Sequence, residues 1–352
     1  MANFLIYGAN GYTGEITAHY AIQQGLHPIL AGRSAEPIKA LSAQLDLEHC
    51  VFGLDDPNAI DSALRDVDAV LHFAGPFKQT WKQMADACLR TGTHYLDITG
   101  EIAVYQGLAE MSDAARRAGI MFLPGIGYDV VPTDCLAAHL KGRLPSATHL
   151  TLAFRQYGPA QISRGTGKTF VEGLPFPGRI RQNGKLTQVP HLSKYRMIDF
   201  GQGAEKVPRM TWGDVFTAYH STGIPNSENY FVASKKVLTM LRMSRYLGRF
   251  LGWGPIQNFL KGSIEAGPRG STSEEREKSY TFVWGEVQDK NGQKATSRLR
   301  TPEAYNLTAL TSLAAIKNVL SGIAPAGYQT PATAFGADFI LQFEGVERVD
   351  LD

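Results

Sequence analysis

The sequence has few cysteines, no strong excess of either charge and no long apolar run. Its three cysteines, Cys50, Cys88 and Cys135, are far apart and form no CxxC pair, so we expect neither a metal site nor a disulfide framework. Lys and Arg number 35 against 33 for Asp and Glu, which argues against nucleic acid as a partner. No segment reaches the roughly 18 consecutive apolar residues of a membrane span. Without a signal-like N-terminus either, we expect a cytoplasmic protein.

Glycine, by contrast, is abundant. It accounts for 36 of 352 residues, about a tenth, where about 7% is usual. The chain has no collagen-like period and no low-complexity tract. The excess therefore directs attention to places where the backbone must approach another group closely.

The first 125 residues alternate short apolar runs with segments of helical length. Such alternation predicts βαβ units and a doubly wound parallel sheet, a Rossmann-type α/β fold, with strands buried on both faces. The apolar runs that we assign to strands are Phe4–Tyr7, Pro28–Ala31, Cys50–Gly53, Ala69–Phe73, His94–Asp97 and Ile120–Leu123.

The pattern changes after about residue 145. Residues 149–155, 215–219 and 280–288 alternate as half-buried strands. Asn291-Gly292, between the last of these and residues 293–300, indicates a β-hairpin. Residues 304–320 have helical periodicity. These features predict an inserted α+β domain with a mixed or antiparallel sheet.

The first apolar run leads directly into the turn Gly8-Ala9-Asn10-Gly11-Tyr12-Thr13-Gly14, after which a helix is predicted. Gly8 suits a tight turn, Gly11 allows the backbone to approach a pyrophosphate, and Gly14 allows close packing of the helix on the sheet. The helix N-terminus then offers N–H groups and a positive dipole end to phosphates. Strand, turn and helix together indicate a dinucleotide site.

The end of the second predicted strand selects the cofactor. NAD-binding proteins place an acidic residue there to hold the ribose 2′-hydroxyl. This chain has Arg33 and Ser34 instead, which favours the 2′-phosphate of NADP, although Arg33 could also be an ordinary solvated side chain. Asp55 follows the third strand, where the adenine amino group often meets an acceptor. The turn Ala74-Gly75-Pro76-Phe77, after the fourth strand, lies on the expected path toward the nicotinamide.

These residues together resemble the saccharopine dehydrogenase-like oxidoreductases, and most closely the branch related to trans-acting enoyl reductases. The resemblance implies an NADP-binding domain formed by residues 1–133 and 325–352, with a substrate and dimerisation domain at 134–324. It also implies hydride transfer from NADPH to a C=N or C=C bond of a small or lipid-like substrate, and a homodimer. The resemblance rests on residues 8–14, 31–34, 74–77, 95–101, 124–134 and 330–339.

Several polar residues follow predicted strands of the first domain, where a doubly wound fold binds its ligand. Thr99, Gly100 and Glu101 are predicted to contact the cofactor. Lys78 or Tyr128 could deliver a proton to the reduced substrate. The resemblance adds Asp129, which falls near an acidic residue of saccharopine reductases. A helix cap at Asp129 and a solvated Lys78 remain alternatives.

A basic, apolar stretch runs from Asn229 to Ile264, with six basic residues and no acidic one. Arg242, Arg245 and Arg249 share a predicted helical face. Residues 235–253 could therefore contact a membrane surface weakly, which would make the protein peripheral to a membrane, or could cover a lipid-substrate tunnel. An ordinary helix packed on the second sheet is the third interpretation.

The leading functional hypothesis is an NADP-dependent oxidoreductase. The alternatives are an NADP-binding regulatory or scaffold protein without turnover and a lipid carrier at a membrane surface.

Overall fold

The computed structural model describes residues 3–351, apart from the side chain of Arg249. Strands and helices alternate from the beginning of this range, in the order that the apolar runs predict. The elements are β1 (Phe4–Tyr7), α1 (Tyr12–Gln23), β2 (Ile29–Gly32), α2 (Ala35–Leu45), β3 (His49–Val51), α3 (Pro57–Leu64), β4 (Ala69–His72), α4 (Phe77–Thr91), β5 (His94–Asp97), α5 (Ile102–Glu110), α6 (Ser112–Ala118) and β6 (Met121–Leu123).

The middle of the chain is richer in antiparallel elements. It forms α7 (Val131–Arg143), β7 (His149–Tyr157), α8 (Arg164–Gly173), β8 (Gly178–Gln182), β9 (Lys185–Val189), β10 (Tyr195–Asp199), β11 (Ala204–Pro208), α9 (Asp214–Thr222), β12 (Asn226–Phe231), α10 (Lys235–Leu251), α11 (Gly254–Glu265), α12 (Ser273–Glu277), β13 (Tyr280–Gln288) and β14 (Lys294–Pro302). The C-terminal part adds α13 (Ala304–Leu320), β15 (Gly327–Tyr328), α14 (Pro331–Phe335), a 3-10 turn (Phe339–Gln342) and β16 (Glu347–Asp350).

The first sheet is parallel throughout, in the order β15-β6-β5-β4-β1-β2-β3. Strand order reverses at β1, which has β2 on one side and β4 on the other. This is the arrangement of a doubly wound dinucleotide-binding fold, whose ligand crevice lies at the carboxyl ends of the strands beside that reversal. Strands β1 and β4 are buried along their whole length, as expected for a sheet covered by helices on both faces. The predicted Rossmann-type fold is confirmed.

The second sheet is mixed, in the order β16-β14-β13-β7-β12-β8-β9. Within it β12 and β7 are parallel, whereas the other pairs are antiparallel. The predicted hairpin is present as β13 and β14, joined by Asp289–Gln293. Asp289 closes this turn by accepting the backbone N–H groups of Asn291 and Gln293.

The contacts divide the chain differently from the predicted boundaries. One unit comprises the chain up to Val131 and Ala304–Phe335, and the other comprises Pro132–Glu303 and the chain from Gly336 onward. Helix α13 belongs to the first unit because it packs against α1 and β4. The segment from Gly336 belongs to the second because β16 pairs with β14. The sequence predicts that the chain returns to the first domain over residues 325–352. In the structure it returns earlier, at Ala304, and leaves that unit again after Phe335.

The strand predicted at residues 215–219 is wrong, because this segment belongs to helix α9. Val215, Phe216, Thr217 and Ala218 are all buried and Tyr219 is exposed, so burial does not alternate along the segment as it would in a half-buried strand. The helix ends at Gly223, whose φ of +67° lies in the left-handed region that favours glycine.

The helices of residues 3–351 include none that is both long and apolar enough to cross a membrane.

Candidate functional site

The glycine-rich turn leaves no room for side chains at two positions. Gly8 has a φ of +85°, and a Cβ there would lie 2.9 Å from the backbone nitrogen of Ala74. A Cβ on Gly14 would lie 2.5 Å from the carbonyl oxygen of Gly8 and 2.8 Å from the Cα of Ala9. Gly11 occupies the N-cap of α1 and brings no side chain to it. The turn is therefore a bare backbone cradle in front of a helix N-terminus, as a pyrophosphate site requires.

Arg33 and Ser34 lie at the carboxyl end of β2, next to this cradle. Both are exposed, and among the described residues neither side chain has a hydrogen-bond or ion-pair partner. Ser34 is the N-cap of α2, yet its hydroxyl makes no capping bond. A guanidinium and a hydroxyl are thus available side by side for an anionic ligand.

The adenine end of the expected site lies beside Tyr7. Burial raises the pKa of the Tyr7 hydroxyl to about 12, the charge of Arg33 acts in the opposite direction, and Asp55 adds to the increase. Both charges therefore act on the same buried hydroxyl. Asp55 is exposed, and its carboxylate folds back over Gly53, where a side chain would collide with it.

The turn after β4 is held from two sides. The Thr80 hydroxyl donates to the carbonyl of Ala74 at 2.7 Å. The carboxylate of Glu101 accepts the backbone N–H groups of Phe77 at 2.8 Å and Lys78 at 3.2 Å. Gly75 is exposed and Pro76 is half-buried, and a cis peptide bond joins them. The end of β4 is thus tied to the segment that follows β5.

Asp97 organises the end of β5. Its buried carboxylate accepts the Tyr95 hydroxyl at 2.6 Å, the N–H of Thr99 at 2.9 Å and the N–H of Gly125 at 3.0 Å. Burial raises the pKa of Asp97 to about 6, although the three hydrogen bonds act in the opposite direction. This carboxylate joins the segments that follow β5 and β6, a role that no local sequence pattern indicates.

The structure places Thr99 and Glu101 in the framework of the site. Thr99 is fully buried, its hydroxyl accepts the backbone N–H of Glu101 at 3.0 Å, and its carbonyl accepts the Tyr105 hydroxyl. Glu101 uses both carboxylate oxygens on α4. Both residues therefore hold neighbouring loops, and their direct contact with a cofactor stays a prediction.

Of the three candidate catalytic residues, Asp129 lies against Gly100. A Cβ on Gly100 would lie 2.8 Å from its Oδ2, so the carboxyl packs directly on the predicted cofactor-binding segment. Burial raises the pKa of Asp129 to about 7. Helix α7 begins two residues later, at Val131.

Tyr128 and Lys78 are placed by other elements. The backbone N–H of Tyr128 donates to the Thr308 hydroxyl of α13 at 3.0 Å, and its side chain is partly buried. Lys78 is exposed in the first turn of α4. The structure therefore ties Asp129 to Gly100 and the backbone of Lys78 to Glu101.

Helix α13 contributes to the site although it is at least 180 residues away in the sequence from the site residues that it contacts. Gly127 packs on Thr308, and Tyr305 meets Tyr12 of the glycine-rich turn edge to face, with ring centroids 4.9 Å apart. No local motif marks Tyr305 or Thr308, because their partners lie far away in sequence.

Comparison with known proteins agrees with this geometry. Residues 4–123 match the family model of the saccharopine dehydrogenase NADP binding domain. A trans-acting enoyl reductase of Mycobacterium leprae is 27% identical over 185 residues, which cover 49% of this chain and 44% of that protein. A lipid droplet localized protein of Caenorhabditis elegans is 24% identical over 188 residues, covering 48% of this chain and 44% of that protein. The chain therefore matches less than half the length of these relatives.

The fold extends the likeness to the whole chain. An apo saccharopine dehydrogenase (L-Glu forming) from Saccharomyces cerevisiae has the same fold, with a TM-score of 0.68, 12% identity and coverage of 100% of both chains. Residues 4–123 are thus similar to the NADP binding domain of saccharopine dehydrogenases, and the chain as a whole has the fold of that yeast enzyme.

Proposed function

We propose that this protein is an NADPH-dependent reductase that adds a hydride to a C=C or C=N bond of a small or lipid-like substrate. The observation that carries the proposal is the pairing of a bare glycine cradle with an unpartnered Arg33 and Ser34 at the end of β2. In such a fold, a guanidinium at this position recognises a 2′-phosphate, whereas NAD selection calls for an acidic residue.

The residues of the first unit fit this cofactor. Gly8, Gly11 and Gly14 with the N-terminus of α1 would bind the pyrophosphate. Arg33 and Ser34 would bind the 2′-phosphate. Asp55 would accept a hydrogen bond from the adenine amino group. At the other end of the cofactor, the turn at 74–77 would border the path to the nicotinamide.

When bound, NADPH supplies a hydride, and reduction of a double bond consumes one proton as well. Asp129 is the best placed of the candidate acids, since its pKa of about 7 keeps it protonated in a substantial fraction of molecules at neutral pH. Tyr128, adjacent in the chain, and Lys78 at the start of α4 are the other candidate donors. In this mechanism Asp97 and Glu101 hold the loops that border the site.

The relatives favour a carbon–carbon double bond. The mycobacterial proteins are named enoyl reductases, and the nematode relative is named for lipid droplets. An α,β-unsaturated acyl group is therefore the first substrate class to test, and an imine is the second.

In the first step the purified chain is titrated with NADPH, and the fluorescence of the cofactor reports binding. NADPH oxidation is then measured with a series of enoyl thioesters and a series of cyclic imines. We expect oxidation with one series, lost in Asp129→Asn without loss of NADPH affinity. Saturable NADPH binding without oxidation in either series would instead support the regulatory or scaffold alternative.

A further inference from the structure

Helix α10 carries an exposed apolar stripe. Met243, Tyr246, Leu247 and Phe250 recur at the spacing i, i+3, i+4 and i+7, so they share one face of the helix. Their exposed fractions run from 40% for Leu247 to 83% for Tyr246. Scattered exposed apolar residues are normal on a protein surface, but a continuous stripe of this size marks an interaction site.

The stripe does not arise from a loosely attached helix. The opposite face of α10 is packed, with Leu241 and Ser244 buried and Val237 and Leu251 in the same apolar cluster. A Cβ on Gly248 would lie 3.1 Å from the carbonyl oxygen of Pro175, which shows close packing there as well. Because the helix has its own buried face, the exposed stripe needs another explanation.

Two more exposed aromatic residues follow α10 in the chain. Trp253, at the N-cap of α11, is 63% exposed, and Phe259 of the same helix is 73% exposed. Helix α11 is fixed to α8, since the Gln257 side chain donates to the carbonyl of Val171 at 3.0 Å and Lys261 pairs with Glu172 at 2.6 Å. Both helices are therefore packed or bonded to other elements of their unit, and both carry exposed aromatic side chains.

The sequence around the stripe is basic. Arg242 and Arg245 are exposed on α10, and Lys235 and Lys236 are exposed in its first turn. The third predicted arginine of this face, Arg249, has a side chain outside those that the structure describes. Residues 229–264 contain no Asp or Glu, although the whole chain is nearly neutral. The local charge is therefore complementary to an anionic surface.

We propose that α10 and α11 bind an anionic phospholipid surface, with the stripe and Trp253 inserted among the lipids and the basic residues at the headgroups. A helix of this composition lies in the plane of an interface, and its affinity combines buried apolar area with attraction to anionic lipid. A second copy of the chain fits less well, because a symmetric contact would bring the arginines of both copies together.

The full chain is tested by co-sedimentation with phosphatidylcholine vesicles, with and without phosphatidylserine. We expect binding that requires phosphatidylserine and weakens with salt. The triple variant Tyr246→Ser, Phe250→Ser, Trp253→Ser should bind at least about tenfold more weakly, because it removes most of the inserted aromatic area. Arg242→Gln with Arg245→Gln should likewise cost about tenfold and reduce the salt dependence.

Met197→Ser is the matched control, since Met197 is 60% exposed on β10 in the same unit. It should bind vesicles like the unaltered chain, and circular dichroism should show that all variants are folded. Absence of the unaltered chain from phosphatidylserine vesicles would overturn the proposal. So would a dimer, seen by sedimentation velocity, that the aromatic triple variant converts to a monomer without any vesicle binding.

Discussion

Glu101 caps the first turn of α4 through the backbone of Phe77, with its Oε1 2.8 Å from the Phe77 nitrogen. Its second oxygen accepts the N–H of Lys78 at 3.2 Å. A carboxylate in this position satisfies two N–H groups that the helix leaves unbonded and interacts favourably with the helix dipole. The cap comes from a residue beyond the next strand, so it also fixes the turn at 74–77.

Removal of this cap should destabilise the protein. We expect Glu101→Ala to lower the free energy of unfolding by about 1–2 kcal/mol, the usual cost of losing a helix N-cap. Urea denaturation followed by circular dichroism measures the difference. Glu110→Ala, an exposed position at the end of α5, is the control and should change stability little. Equal effects of both substitutions would contradict the capping role.

Arg33 should discriminate between the two nicotinamide cofactors. Arg33→Ala removes the charge-assisted hydrogen bonds to a 2′-phosphate, so we expect NADPH affinity to fall about 10- to 100-fold while NADH affinity changes little. Fluorescence titration with each cofactor gives both values. Arg65→Ala changes another exposed arginine of the same unit and should affect neither. A similar loss for NADH and NADPH would refute the 2′-phosphate role.

Gly14 should tolerate no side chain. In Gly14→Ala the new Cβ would press on the backbone of Gly8 and Ala9, which cannot yield as a flexible side chain can. We expect a loss of about 1–3 kcal/mol in the free energy of unfolding and weaker NADPH binding. Gly142→Ala in α7 is the matched control, because its Cβ has nothing within 4 Å. That control should gain up to about 1 kcal/mol from helix propensity.

Asp129 should make stability depend on pH. Its folded pKa of about 7 lies above the ordinary value of 3.8, so the folded state favours the protonated form. The resulting stabilisation is complete below the ordinary pKa and is lost as the pH rises through about 7. We therefore expect Asp129→Asn to gain stability relative to the unaltered chain between about pH 5 and pH 8, measured by urea unfolding at both values.

Asp66→Asn, at an exposed carboxylate of the same unit, controls for the loss of one surface charge. A difference between Asp129→Asn and the unaltered chain that stays constant with pH would show that Asp129 does not titrate in this range.

The parallel sheet is predictable from sequence because each buried strand is a short apolar run bounded by helical segments. Phe4–Tyr7 and His94–Asp97 coincide with observed strands at both ends. The hairpin after Gln288 is also confirmed, since Asn291-Gly292 lies between two alternating segments. The strand predicted at residues 215–219 is wrong because four consecutive buried residues, 215–218, show neither the alternation of a strand nor a helical period over so short a segment.

The glycine-rich turn of the site was also predictable from sequence. The hydrogen bonds that hold the neighbouring loops in place were not. Gly8 and Gly14 belong to one turn whose local geometry a motif encodes, and Arg33 directly follows β2, the strand that pairs with β1. Asp97 joins loops that follow two different strands, and Thr308 reaches Tyr128 across 180 positions of sequence. Such contacts depend on tertiary packing, which leaves no local pattern.

The late arrival of α13 in the chain has a consequence for synthesis on the ribosome. The first unit needs Ala304–Phe335, which are translated only after all of Pro132–Glu303. Until then α1 lacks the helix that packs against it, and β6 lacks its neighbour β15. A nascent chain that ends at Glu303 therefore has an incomplete nucleotide-binding unit and a second sheet without its edge strand β16. Folding of both units can be completed only when the last segments emerge, which departs from the usual N-terminal-first order of domain folding.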